Sequence, residues 1–305
     1  MGYSSYSTSS RDLRSKARGY DTKPADEIFV QNRKREIHES MEPSKALLRE
    51  ARDSEIHPNS VPIILALDVT GSMGRIPHQL VKDGLPKIMG RIMENGIADP
   101  SLLLMAIGDT EYDTYPLQVG QFESGDEELD TWLTRTYIEG GGGGNGGESY
   151  LLAWYFAAFH TEIDSLAKRG KKGFLFTVGD EPSLRNIPMN VIKEVMGTSV
   201  QSAFTDKELL ERAQEMYHVF HLHIMEGFAA SRSLGYWKEM LGQNCIEINH
   251  HEDVAKTIAK IVLENTDADD AQPIVLETEK ETEKETEKKS EAPVEKNKSE
   301  EEEIL

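Results

Sequence analysis

Residues 61–74 read VPIILALDVTGSMG, an apolar run from Val61 to Leu67 that gives way to Asp68, Thr70 and Ser72 around Gly71. A run without polar alternation fits a strand buried on both faces of a parallel sheet, since a half-exposed strand would alternate. The oxygen-bearing side chains fall where that strand turns, and this is the edge at which open α/β sheets bind ligands. One carboxylate and two hydroxyls at alternate positions suit a hard divalent cation, which prefers oxygen ligands.

From Val61 onward, apolar runs alternate with longer amphipathic stretches, the pattern of a mainly parallel sheet flanked by helices. The spacing predicts strands at Ile63–Asp68, Leu102–Gly108, Lys172–Gly179, Tyr217–Ile224 and Cys245–Ile248. Pro116–Phe122 is a further strand, joined to Leu102–Gly108 by a short connection and therefore antiparallel to it, because parallel neighbours need a long crossover. Helices are predicted at Ile76–Asn95, Glu127–Thr134, Ser149–Lys168, Asp206–Met216, Ser233–Gly242 and Glu252–Glu264. Gly84 and Pro86 should kink or split the first of these, with Asp83 able to cap the second piece. Ahead of this region, residues 1–60 read as an extension: residues 1–22 lack a hydrophobic period and are expected to be disordered or loosely docked, and Pro43–Glu55 is expected to form a short helix.

Charge is unevenly distributed along the 305 residues. Residues 266–305 hold fifteen Asp or Glu against six Lys or Arg, so this segment carries −9 of the formal −20 and leaves −11 for the remainder. The repeat ETEKETEKETEK at 277–288 has little apolar content to pack, and a disordered, solvated acidic tail is the expectation. The acidic balance disfavours nucleic acid as a partner, because phosphate binding needs a basic face. Cys245 is the single cysteine, which excludes an intramolecular disulfide and fits a small buried side chain in a reducing compartment. No apolar stretch approaches the roughly 20 residues of a membrane span, and MGYSSYSTSS lacks the apolar core of a secretory signal; a soluble, cytoplasmic protein is expected. Tyr6 stands where a myristoylation motif starting at Gly2 would have Ser or Thr.

Three separated stretches end a predicted strand or begin a helix with oxygen ligands: Asp68, Thr70 and Ser72; the loop Gly140–Gly147, interrupted only by Asn145 and followed by Glu148; and Asp180 after the buried run GFLFTVG. If the first and fourth predicted strands are neighbours, all three meet at one edge of the sheet. Asp-x-Thr-Gly-Ser after a buried strand, a glycine-rich middle loop and an Asp closing a later strand resemble the von Willebrand factor type A domain and its metal-ion-dependent adhesion site. The resemblance covers about residues 61–265 and neither flank. It implies a Rossmann-like fold with a mainly parallel six-stranded sheet, one antiparallel edge strand and helices on both faces. It implies further that Thr70 and Ser72 bind a divalent cation directly and that Asp68 and Asp180 do so directly or through water. The middle ligand, more often Thr in that family, would here be Asn145 or Glu148. Mg²⁺, or another divalent cation such as Mn²⁺, is the expected ion, since Mg²⁺ keeps waters and accepts an outside carboxylate.

These residues predict a non-enzymatic, metal-dependent module whose last ligand is an Asp or Glu from a protein partner. A competing reading is a Mg²⁺-dependent phosphohydrolase resembling the haloacid dehalogenase-like proteins, with Asp68 as nucleophile and Lys171 or Lys172 as its lysine. A third is a scaffold with a vestigial metal site and a partner-binding acidic tail. His218, His221 and His223 lie on one predicted strand and are read as core or surface histidines rather than a zinc site, as no Cys or carboxylate cluster accompanies them. Trp132, Trp154 and Trp237 are read as packing residues, and Asp109 as a group that supports the metal ligands from behind. No GxxxxGK[ST] occurs, so a P-loop is excluded.

Overall fold

The computed structural model describes residues 4–20, 22–84, 87–141 and 146–266. Among them ten strands follow in chain order: β1 (Arg49–Ala51), β2 (Val61–Asp68), β3 (Pro100–Ile107), β4 (Leu117–Val119), β5 (Thr161–Ile163), β6 (Gly173–Gly179), β7 (Asn186–Ile187), β8 (Phe204–Thr205), β9 (Tyr217–Ile224) and β10 (Cys245–Ile248). The central sheet has six strands in the order β10-β9-β6-β2-β3-β4, all pairs parallel except β3 with β4. This is the α/β architecture that the apolar runs and the family resemblance predict. All eight residues of β2 are buried, as an apolar run without alternation requires. The chain leaves β2 for β3 on one side and later returns to β6 on the other, so the strand order reverses between β2 and β6. That reversal opens a crevice at their carboxyl ends.

Side chains alternate across the sheet with a period of two. Ile63, Leu65 and Leu67 enter one core with Leu104, Phe176 and Leu222, while Ile64 and Ala66 enter a second with Met105, Leu175 and Val219. The first core is closed by helices Ile88–Glu94 and Val254–Asn265, whose Ile88, Ile92, Ile258 and Val262 face inward. The second is closed by Tyr150–Phe159, Asp206–Met216 and Ala230–Leu241. In Tyr150–Phe159 every residue from Tyr150 to Ala157 is buried, so this helix is apolar around its whole circumference. Burial of each large side chain here stabilises the fold by roughly 1.5–3 kcal/mol.

Three expectations are corrected. The predicted helix Ser149–Lys168 ends at Phe159, continues as β5 and resumes at Asp164–Arg169. A distant partner causes the break: β5 pairs in parallel with β1, and the β-branched Thr161 and Ile163 favour that pairing over helix. The same pairing overrides the helix expected at Pro43–Glu55, which instead forms two 3₁₀ turns and β1. Residues 8–18, expected to be disordered or loosely docked, form a helix capped by Ser7 and closed by Gly19 in the left-handed region. None of its residues is buried. Polar contacts fix it instead: Arg14 pairs with Asp126 and Arg18 with Asp130, and Tyr20 Oη donates to Asp130 at 2.7 Å.

The predicted helix Ile76–Asn95 is divided into Ile76–Gln79, a π-helical turn Leu80–Gly84 and Ile88–Glu94, as Gly84 led us to expect; Pro86 lies outside the described residues. A helix at Met189–Met196 was not predicted. The acidic segment beyond residue 266 also lies outside the described residues. Among those described, no helix is long and apolar enough to cross a membrane.

Candidate metal centre

The strand β2 delivers Asp68 at its last position, and the turn that follows brings Thr70 and Ser72 back beside it. Asp68 is fully buried, and its Oδ1 accepts from the Thr70 amide at 2.9 Å and the Thr70 hydroxyl at 2.6 Å. The Thr70 and Ser72 hydroxyl oxygens lie 3.3 Å apart. Ser72 Oγ in turn donates to Asp180 Oδ1 at 2.7 Å. Because β2 and β6 are adjacent and parallel, the residue after β6 lands next to the residues after β2. The hydrogen-bonded pairs Asp68–Thr70 and Ser72–Asp180 thus meet in one cluster at the carboxyl edge of the sheet.

Several residues that the sequence reading passed over hold this cluster. Tyr150, the first residue of the buried helix, donates its hydroxyl to Asp68 Oδ2 at 2.6 Å. Only glycine admits that bond: a Cβ on Gly179 would sit 1.8 Å from the Tyr150 hydroxyl and 2.8 Å from Asp68. Asp180 Oδ2 accepts from the Ala229 amide at 2.8 Å, and a Cβ on Gly227 would come within 2.3 Å of the Asp180 carboxylate. The Phe228 amide donates to the Ser72 carbonyl at 3.2 Å, leaving the Phe228 ring 85% exposed at the rim. The signals for these roles were the two glycines, which look like ordinary turn residues until the neighbouring carboxylates are placed.

Behind the cluster lies a buried polar column. His221 stacks on Trp237 with ring centroids 3.5 Å apart, its Nδ1 is 2.9 Å from Thr177 Oγ1, and its Nε2 is 3.2 Å from His223 Nδ1. His223 Nε2 lies 2.9 Å from the Ala230 carbonyl and must donate to it. With both rings neutral, the state that burial favours, His223 Nδ1 accepts from His221 Nε2, and the Thr177 hydroxyl lies between His221 Nδ1 and the Phe220 carbonyl, 3.3 Å away. Burial holds the pKa of both below the ordinary histidine value. These are the core histidines that the strand pattern predicted, and Trp154 and Trp237 pack beside them in the second core.

The middle loop is placed in part. Asn145 lies outside the described residues. Gly71 is packed against the loop, its amide donating to the Gly141 carbonyl at 2.5 Å. Glu148 is buried, and its Oε2 has no hydrogen-bond partner among the described residues. Its pKa is pushed up to about 10 by burial and by the charges of Asp68, Asp109, Asp113 and Glu181. Asp68 is pushed up to about 7 by burial, with the charge of Asp180 adding and the hydrogen bonds from Thr70 and Tyr150 opposing. Asp113 is raised to about 6 by burial, with Glu139 and Asp109 adding. Asp109 is fully buried and accepts from the Glu111 amide at 2.7 Å, which places it beneath the rim.

This corner gathers more carboxyl groups than its own hydrogen bonds satisfy, and its donor set of two carboxylates and two hydroxyls is all oxygen. Both properties fit a hard divalent cation. Among the described residues no group of three or more His, Cys, Asp or Glu is arranged to hold a metal, so a cation here depends on the hydroxyls of Thr70 and Ser72 and on water as well. The lysines of the phosphohydrolase reading are elsewhere. Lys171 and Lys172 precede β6, at the opposite end of the strand from Asp180, and Lys172 Nζ donates to the Gln214 carbonyl. Strand length of about 3.3 Å per residue puts them some 20 Å from Asp68.

No family model matches the sequence, and no curated protein matches it. Among solved structures, the pilus adhesin SpaC of Lactobacillus rhamnosus GG in an open conformation aligns with a TM-score of 0.47 at 10% identity, over 71% of this chain and 31% of that one. Proximal thread matrix protein 1 of the mussel byssus aligns with a TM-score of 0.45 at 11% identity, over 70% of this chain and 49% of that one. A second structure of the mussel protein, with a zinc-occupied MIDAS motif, aligns with a TM-score of 0.43 at 11% identity, over 70% and 48%. The chain therefore matches a third to a half of the length of these structures.

Proposed function

We propose that this chain is a divalent-metal-dependent protein-binding module of the metal-ion-dependent adhesion type. The observation that carries the reading is the clustering of Asp68, Thr70, Ser72 and Asp180, two hydrogen-bonded pairs whose hydroxyl oxygens lie 3.3 Å apart, at the carboxyl ends of two adjacent parallel strands. Thr70 and Ser72 would hold Mg²⁺ or Mn²⁺ through their hydroxyl oxygens, with Asp68 and Asp180 binding directly or through water, and Asn145 or Glu148 would complete the set from the middle loop. A cation bound there supplies a coordination position that an Asp or Glu carboxylate of a partner can fill.

The chain's own residues do the positioning. The Thr70 and Ser72 hydroxyls give their protons to Asp68 and Asp180, which leaves their lone pairs free for a cation. Tyr150 and the Ala229 amide each hold the far oxygen of one carboxylate, so neither aspartate has to be ordered when the ion arrives. Pre-organisation of this kind lowers the cost of binding. Phe228, exposed and tied to Ser72 through its backbone, offers a partner an apolar contact beside the metal. The phosphohydrolase reading is disfavoured because both oxygens of Asp68 are engaged and no lysine among the candidates reaches it.

The test is titration of Mg²⁺ and Mn²⁺ into the purified chain by calorimetry, together with partner capture from native lysate in Mg²⁺ and in EDTA. Wild type should bind one ion and capture a partner only with metal, and Asp68→Ala should do neither. Capture that is equal in EDTA and in Asp68→Ala would remove the metal from the mechanism.

A further inference from the structure

A second feature stands apart from the metal centre and does not depend on it. Helices Ile88–Glu94 and Val254–Asn265 pack side by side on the first core, and with the N-terminal segment they border a groove of about 670 Å³. Five cations line it: Arg11, Lys87, Arg91, Lys256 and Lys260. In a chain of formal charge −20, such a concentration needs a cause. Lys87 and Arg91 are four residues apart, as are Lys256 and Lys260, and like charges at that spacing on a helix repel by a few tenths of a kcal/mol per pair. Arg11 and Lys260 have acidic neighbours, Asp12 at 2.8 Å and Glu264 at 3.7 Å. Lys87, Arg91 and Lys256 form no ion pair with any described residue.

We infer that this groove binds a small organic phosphate, with its phosphate groups held by Lys87, Arg91 and Lys256. Arg91 supplies the planar fork that pairs two phosphate oxygens at once, and the lysines supply point charges. The opposite end of the groove is lined by Glu94, Asn95 and Glu264, which accept hydrogen bonds from the hydroxyl or amino groups of an uncharged body. From Lys87 to Asn95, the two caps of the helix Ile88–Glu94, eight steps of about 1.5 Å span about 12 Å, the length of a nucleotide rather than of a polymer. The volume is also within the roughly 300–1,000 Å³ of small-molecule sites.

The probe is ATP in magnesium-free buffer at low salt, followed by calorimetry on the full chain, with inorganic tripolyphosphate as a second ligand. The expected result is saturable one-to-one binding of ATP that weakens at least tenfold in the double variant Arg91→Gln, Lys256→Gln and is unchanged in Lys172→Gln, which lies outside the groove. ATP should bind more tightly than tripolyphosphate, since only ATP has a body for the acidic end. Because Lys256 is exposed and the substitutions remove repulsion, the ligand-free double variant should melt no lower than wild type. Unsaturable binding, equal weakening in Lys172→Gln, or an unchanged affinity in the double variant would overturn the assignment, and equal affinity for the two probes would overturn the placement of the body. Asp68→Ala should bind ATP as wild type does, so the groove and the metal centre fail independently.

Discussion

The polar groups beneath the candidate metal centre and those under the N-terminal helix solve different problems. Around Asp68 the hydrogen bonds are buried or partly buried, and the aromatic rings of Tyr150, His221 and Trp237 close the column edge to face or stacked. The Thr8–Arg18 helix buries none of its residues and is held by Arg14 and Arg18, partly exposed side chains that reach down to the buried carboxylates of Asp126 and Asp130. A buried network is costly to break because any group left alone keeps its full desolvation penalty. An ion pair whose guanidinium reaches water loses less when it is broken, because water replaces part of the contact. The first region should therefore behave as part of the fold and the second as an attachment to it.

The largest test of that contrast is Trp237→Ala. Removing the ring that stacks on His221 and donates to the Glu181 carbonyl at 2.9 Å should cost about 3–5 kcal/mol, measured by urea denaturation; a loss under 1 kcal/mol would mean that the column is not part of the cooperative core. Next is metal. Mg²⁺ at a hundredfold excess over its dissociation constant should raise stability by about 2.7 kcal/mol, and Asp68→Ala should abolish the rise. Because Asp68 keeps its proton up to about pH 7, metal affinity should fall about tenfold per pH unit below that value, with proton release on binding detectable in buffers of different ionisation enthalpy.

The histidine pair gives a smaller effect of definite sign. Both rings have native pKa values lowered by burial, whereas the unfolded chain takes up protons near pH 6.5. Their contribution is complete above pH 6.5 and is lost as the pH falls toward the native values, by at most about 1.4 kcal/mol per pH unit for each ring. Asp68 and Glu148, whose pKa values are raised, act in the opposite direction, so the measurement is the difference in slope between wild type and His221→Asn from pH 7.5 to 5.5. Equal slopes would show that the rings do not resist protonation. The smallest global effect belongs to Arg18→Ala, whose side chain is 41% exposed and whose partner Asp130 keeps the Tyr20 hydroxyl, expected to cost about 1 kcal/mol; Arg14→Ala, which takes the guanidinium from the buried Asp126, should cost more. Their signature is local: faster proteolysis before residue 22 and faster amide exchange in Thr8–Arg18, with the core unchanged. A global loss above 2 kcal/mol would erase the distinction between the two regions.

How much could be read in advance follows the range of the forces involved. The strands of the central sheet were legible because burial on both faces leaves an unbroken apolar run, and Tyr217–Ile224 and Cys245–Ile248 form with the bounds their patterns predict. Asp68, Thr70, Ser72 and Asp180 were legible because a polar residue directly after such a run marks the sheet edge. The break at His160 was not, since nothing within residues 149–168 announces that β1, more than a hundred residues earlier, is waiting to pair. Nor was the docking of Thr8–Arg18, whose partners Asp126 and Asp130 lie far along the chain.

The sequence by itself determined the fold class, the order of the strands along the chain and the oxygen-bearing side chains at their ends, because each depends on a local pattern of apolar and polar residues. Only the tertiary structure decided which strands are neighbours, and hence that Asp180 meets Ser72 while Lys172 lies at the far end. It also decided that Gly179 and Gly227 make room for Tyr150 and Asp180, and that the cations of two separate helices line one groove. Those outcomes depend on contacts between distant residues, and the energy of such a contact exists only once the intervening chain has closed around it.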